Sequence, residues 1–87
     1  MISSSQLKAA RAMLGWSALR LAESSGIGPA TIRRYELQQG IPSANTNVLQ
    51  KIKSVLESSG IQFTGDPLVN PGVTLDLSKR EAARAKQ

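Results

Sequence analysis

The chain has 87 residues, a formal net charge of +5, and neither cysteine nor histidine. Its length fits one domain, since domains run to about 50–250 residues, and without cysteine there is no disulfide framework or thiolate metal site. With histidine also absent and no cluster of acidic residues that reads as a metal site, no catalytic residue, metal or cofactor is expected, and the chain does not read as an enzyme.

The N-terminus, Met1-Ile2-Ser3-Ser4-Ser5, contains no apolar signal-type run. No stretch approaches the ~18 apolar residues of a membrane span, so a soluble, cytoplasmic protein with no membrane partner is expected. The excess of Lys and Arg suits a partner built of phosphates, through release of counterions. That excess is uneven. Lys79, Arg80, Arg84 and Lys86 against Glu81 place +3 in the last ten residues and leave +2 for residues 1–77.

In chain order, Ser3 with Gln6 three residues on has capping-box spacing, and Ile2 is placed to pack on Leu7. A first helix over about Ser4 to Leu14 is predicted, with Leu7, Ala10, Arg11 and Leu14 on one face and Gly15 ending it. Arg11 on that otherwise apolar face requires a partner. A second helix starts after Ser17, with Trp16 and Leu21 as its staple, and closes near Ser25 at Gly26. A third start repeats the grammar in Ile27, Gly28, Pro29 and Ile32, predicting a helix from Pro29 to about Leu37. Ile32, Tyr35 and Glu36 fall on its inner face, while Pro29, Ala30, Arg33, Arg34 and Leu37 point elsewhere.

Gly40-Ile41-Pro42-Ser43 breaks this helix. A fourth helix follows, capped by Asn45 or Asn47, with Leu49, Ile52, Val55 and Leu56 as its core stripe and Gly60 as its stop. Beyond it, Ile61 and Phe63 alternate with polar residues, as do Val73, Leu75 and Leu77, and Asp66-Pro67 and Asn70-Pro71-Gly72 punctuate the connection. These predict two short strands, Ile61 to Thr64 and Val73 to Leu77. An isolated ribbon of two strands is only marginally stable, so its apolar face must pack on the fourth helix or on a second subunit. The tail from Ser78 either forms a basic helical turn or stays disordered.

The run Leu7, Arg11, Gly15, Ser17, Leu21-Ala22, Gly26-Ile27, Thr31-Ile32, Glu36 and Pro42 resembles the lambda-repressor-like, Cro/Xre-type helix-turn-helix family over roughly residues 3–59. Small Ala22 suits a close helix crossing, Gly26 the turn, and Ile32 the packing between the two helices. The resemblance implies a mostly α fold of four helices, followed here by a C-terminal two-stranded β-hairpin. It implies that Glu36 is the partner of Arg11, in a structural ion pair. It also implies that the third helix enters the major groove of double-stranded DNA, with the start of the second helix against the phosphate backbone. Carried over by position, Ser17, Ala18, Gly28, Pro29, Ala30, Thr31, Arg33, Arg34 and Gln38 are the DNA-contacting candidates. The family more often carries long polar side chains at Ala18, Pro29 and Ala30, so base reading would rest chiefly on Arg33 and Arg34.

The organisation expected is a helix-turn-helix domain over residues 1–60, a hairpin over 61–77 and a basic tail over 78–87. A sequence-specific transcriptional regulator is expected, a repressor occupying an operator as a homodimer. Ile61, Phe63, Val73 and Leu75 are its candidate dimer interface. Two alternatives stay open on sequence alone: an antitoxin that binds a toxin partner and represses its own operon, and a protein-interaction adaptor with degenerate DNA binding.

Overall fold

In a computed structural model, which describes residues 1–78, each helix starts where a capping side chain meets one first-turn N–H donor or a proline removes one. Helix α1 (Ser4–Leu14) has a complete capping box: Ser3 Oγ accepts from the Gln6 N–H at 3.2 Å and Gln6 Oε1 accepts from the Ser3 N–H at 2.9 Å. Helix α2 (Ala18–Ser25) is capped by Ser17, whose Oγ accepts from the Arg20 N–H. Helix α3 (Pro29–Leu37) has no side-chain cap, and proline at its first position simply removes a donor. Helix α4 (Thr46–Ser58) takes Asn45 rather than Asn47 as its cap. Antiparallel strands β1 (Ile61–Thr64) and β2 (Gly72–Leu75) complete the order, in the register Ile61 to Leu75 and Phe63 to Val73. The fold is therefore the expected mostly α, four-helix domain with a C-terminal hairpin.

One core serves all the elements. Leu7, Ala10 and Leu14 of α1 meet Leu21 and Ala22 of α2, Ile32 and Tyr35 of α3, and Leu49, Ile52 and Leu56 of α4. Each large aliphatic side chain buried there stabilises by about 1.5–3 kcal/mol relative to exposure. Val55, placed on the core stripe by spacing, is only half-buried.

The hairpin differs from expectation in two respects. Strand β2 covers Gly72–Leu75, not Val73 to Leu77: the paired residues end at Ile61 and Leu75, and one further bond, from the Asp76 N–H to the Gly60 carbonyl at 2.8 Å, closes that end. Leu77 is left outside the ladder and exposed. The second is what the ribbon packs on: of the candidate dimer residues, Ile61 is 2% exposed, and Phe63, Val73 and Leu75 are half-buried against the chain's own core. Within the one chain β2 packs on α1 and β1 on α4, which covers that face in part. The basic tail lies outside the described residues from Lys79 onward.

Gln6 fixes the hairpin in place. Its side chain is buried, and besides closing the capping box its Nε2 donates to the carbonyls of Thr64 at 3.2 Å and Gly72 at 3.0 Å, one on each strand. Replacing it leaves the buried Ser3 N–H unmet at about 1–3 kcal/mol, and frees two part-buried carbonyls that lose less. Gln6→Met is expected to destabilise the chain by about 2–4 kcal/mol in urea unfolding. Gln6→Glu, which keeps the acceptor for Ser3 but loses the donors, should speed hydrogen exchange in the hairpin before it unfolds α1. Equal protection of both strands in wild type and Gln6→Glu would refute the role assigned to the amide.

Candidate nucleic-acid interface

Gly26 adopts φ 75°, the left-handed conformation that a Cβ disfavours, and α2 passes to α3 through Gly26, Ile27 and Gly28. The Oγ of Ser25 supports the turn by accepting from the Ile27 N–H while donating to the Leu21 carbonyl. Helix α3 then presents two unlike sides. Ile32, Tyr35 and Glu36 are buried, whereas Ala30, Arg33, Arg34 and Leu37, spaced i, i+3, i+4 and i+7, form one exposed outer stripe.

The inner side is locked by charge. Arg11 Nε donates to Glu36 Oε2 at 2.8 Å and Arg11 Nη2 to Glu36 Oε1 at 2.9 Å, a two-pronged pair, while Arg11 Nη1 donates to the Trp16 carbonyl at 2.7 Å. The Glu36 side chain is 7% exposed and that of Arg11 23%. Hydrogen bonding to Glu36 raises the Arg11 pKa above its ordinary value, opposed by burial and assisted by charge attraction, so the guanidinium keeps its charge. The chain thereby joins α1, the connection before α2, and α3 at one point.

The expected contact residues fall in different environments. Ser17 is exposed beside the start of α2, where the Ala18 and Leu19 N–H groups have no acceptor ahead of them in the helix. The Ala18 side chain is buried. Its position one turn before Leu21 and Ala22 puts its methyl on the inner face of α2, leaving only its backbone N–H to offer. Gly28 and Ala30 are exposed, and Pro29 and Thr31 half-buried. Gln38 is half-buried, and its Oε1 accepts from the Ser43 N–H at 2.7 Å, so it orders the loop after α3 and only its amide N–H groups remain.

The two arginines of α3 are not equivalent. Arg34 holds its guanidinium 5.7 Å from the centre of the Tyr35 ring, while Arg33 has no ion pair or hydrogen-bonded side chain among the described residues. Sequence reasoning also missed a third cation. Arg20, exposed in the first turn of α2, stands 5.2 Å over the ring of Trp16, which serves as more than an apolar staple. The i, i+4 spacing of Trp16 and Arg20 was the available signal. The outer surface therefore offers guanidinium groups on both helices and free N–H donors at the start of α2, an arrangement suited to phosphate oxygens and base edges.

A helix-turn-helix family model matches residues 7–59. No curated protein matches the chain. Among the described residues, no helix is long and apolar enough to cross a membrane.

Because both members of the Arg11–Glu36 pair are shielded from water to different degrees, removing either one strands the other. Arg11→Met or Glu36→Leu alone is expected to cost about 2–4 kcal/mol, and the double variant less than either single one, since an apolar pair of similar volume can substitute for a buried ion pair. Urea unfolding of the three variants checks this. Additive losses in the double variant would show that the pair is not the source of the effect.

Proposed function

Since the chain belongs to the Cro/C1-type, lambda-repressor-like helix-turn-helix family of DNA-binding transcription regulators, we propose that it is a sequence-specific repressor that occupies an operator as a homodimer. The observation that carries the reading is the two-sidedness of α3: Ile32, Tyr35 and Glu36 hold the helix on the body, while Ala30, Arg33 and Arg34 stand in solvent. In this reading residues 1–60 are the DNA-reading unit and α3 lies in the major groove. Arg33, the unengaged guanidinium, reads a guanine edge through O6 and N7, a contact worth about 1–3 kcal/mol of discrimination.

Arg34 and Arg20 meet phosphates. Each is steadied by an aromatic ring, and Arg20 lies beside the free N–H groups of α2. Ala30 and Pro29 offer apolar contact only, so sequence preference rests on few side chains, supplemented by the shape of the duplex. A single module this small spans few base pairs. Two copies related by a twofold axis would read half-sites one helical turn, ~34 Å, apart. Repression follows from occupancy and needs no further domain.

Selection from random duplex DNA tests the reading. The expected outcome is an enriched sequence with twofold symmetry. Arg33→Ala should lower affinity for that sequence by about 5–150-fold for each half-site and relax preference at one position of each. Arg20→Ala should weaken all sequences alike and reduce the slope of log affinity against log salt by about 1 for each copy bound. No enrichment, with a shallow salt slope, would overturn the proposal in favour of a protein-interaction role.

A further inference from the structure

The connection between β1 and β2 is an ordered structure that displays apolar side chains. Asp66 Oδ1 accepts from the N–H groups of Leu68 at 2.8 Å and Val69 at 3.2 Å, and Asn70 Oδ1 accepts from the Asp66 N–H at 2.7 Å. A further bond runs from the Asn70 N–H to the Asp66 carbonyl. On this frame Leu68 is 65% exposed and Val69 82% exposed. Two large aliphatic side chains held in water by a fixed loop leave a hydrophobic stabilisation unrealised.

Beside the loop lies a groove of about 550 Å³ between α1 and the end of α3. Lys8, Ala9 and Ala12 line it from α1, and Leu37 and Gly40 from the other side. The small residues of α1 leave it open, and Leu37 is 82% exposed. Leu68 belongs to the same neighbourhood: a Cβ on Gly40 would stand 3.3 Å from the Leu68 Cδ2. A projecting pair and a recess are thus adjacent on one face of one chain.

We infer that a second copy of this chain docks here, Leu68 and Val69 of each copy entering the groove between α1 and α3 of the other. The inference rests on the homodimer reading above and supplies its interface. Three observations select a second copy as the occupant. The knob and the recess meet at Gly40, so one twofold rotation seats both at once, as an isologous interface requires. Charge also matches across the axis. The loop carries Asp66, whose Oδ2 has no partner among the described residues, and the groove carries Lys8, which has no ion pair among them. Last, the docked copy sits at the C-terminal end of α3 and leaves Ala30 and Arg33, nearer its start, uncovered.

The patch is small, so association is of the weak, concentration-dependent kind. Sedimentation of the full chain from about 1 μM to about 1 mM should show monomer passing to dimer. Leu68→Asp and Ala12→Arg, both at exposed sites, should each keep the wild-type thermal melt and remain monomeric about 10-fold or more higher in concentration. An equimolar mixture of the two should dimerise better than either alone, because one intact knob then meets one intact groove. Both variants should bind a mixed-sequence duplex at low salt within about 3-fold of wild type, because the arginine-bearing surface is untouched. A wild-type chain that stays monomeric throughout, or variants that dimerise like wild type, would overturn the interface. A chain that dimerises as described yet binds no duplex would leave the interface standing and remove the DNA-binding reading instead.

Discussion

The bidentate pair between Arg11 and Glu36 is the constraint on which the arrangement of the helices depends. With its third bond to the Trp16 carbonyl, one guanidinium reaches α1, the chain entering α2, and the inner face of α3. Apolar packing around Leu21 and Ile32 is non-directional and would accept small rotations of α3 at little cost. Planar, two-pronged hydrogen bonding does not accept them, because the geometry that satisfies both oxygens is narrow. A buried ion pair adds little net stability over an apolar pair of the same volume, so its consequence here is orientation. Rotating α3 about its axis would bring Arg33 and Arg34 off the outer stripe, and the buried Glu36, held by both of its oxygens, resists that rotation.

The outer surface follows a different logic. Its cations are few, and two of the three lie near an aromatic ring: Arg20 over Trp16 and Arg34 over Tyr35. A long side chain held at a ring gives up part of its rotamer freedom before any ligand arrives, which lowers the ordering cost of a later contact. Such pre-organisation suits contacts that set position. Arg33, without such a tether, keeps the freedom to adjust to a base edge. Two ring-held arginines and one free one are a difference that the sequence, with Arg33 and Arg34 side by side, does not display; in the proposed function it divides backbone contacts from base contacts.

Local signals made most of the fold legible. Caps at Ser3 and Ser17, proline at position 29, and glycines at 15 and 26 each act within one turn of themselves, and the helix limits follow from them. What stayed hidden depends on contacts between residues far apart in the chain. Gln6 reads as a capping residue, and nothing near it announces that its other amide atom bridges Thr64 and Gly72. Ala18 sits where the family's contacts lie, but its burial depends on which side of α2 packs on the body. The apolar face of the hairpin was equally consistent with two partners, α helices of its own chain or a second subunit, because alternation marks a face that must be covered without saying by what.

The same long-range contacts decide how the hairpin relates to α3. Ser4 donates from its Oγ to the Tyr35 carbonyl at 2.7 Å and from its N–H to the Gly40 carbonyl at 2.8 Å, so the start of α1 is tied to the end of α3. Two residues on, Gln6 ties the same turn of α1 to both strands. Loop, strands, α1 and the end of α3 are therefore connected through a few buried hydrogen bonds, with no linker between them. Transmission of a signal would need an element with two discrete arrangements, and none of these contacts supplies one. In the proposed dimer, a second copy seated at the hairpin tip would act through geometry, setting the distance and angle between two α3 helices, each already held on its own body by Arg11 and Glu36.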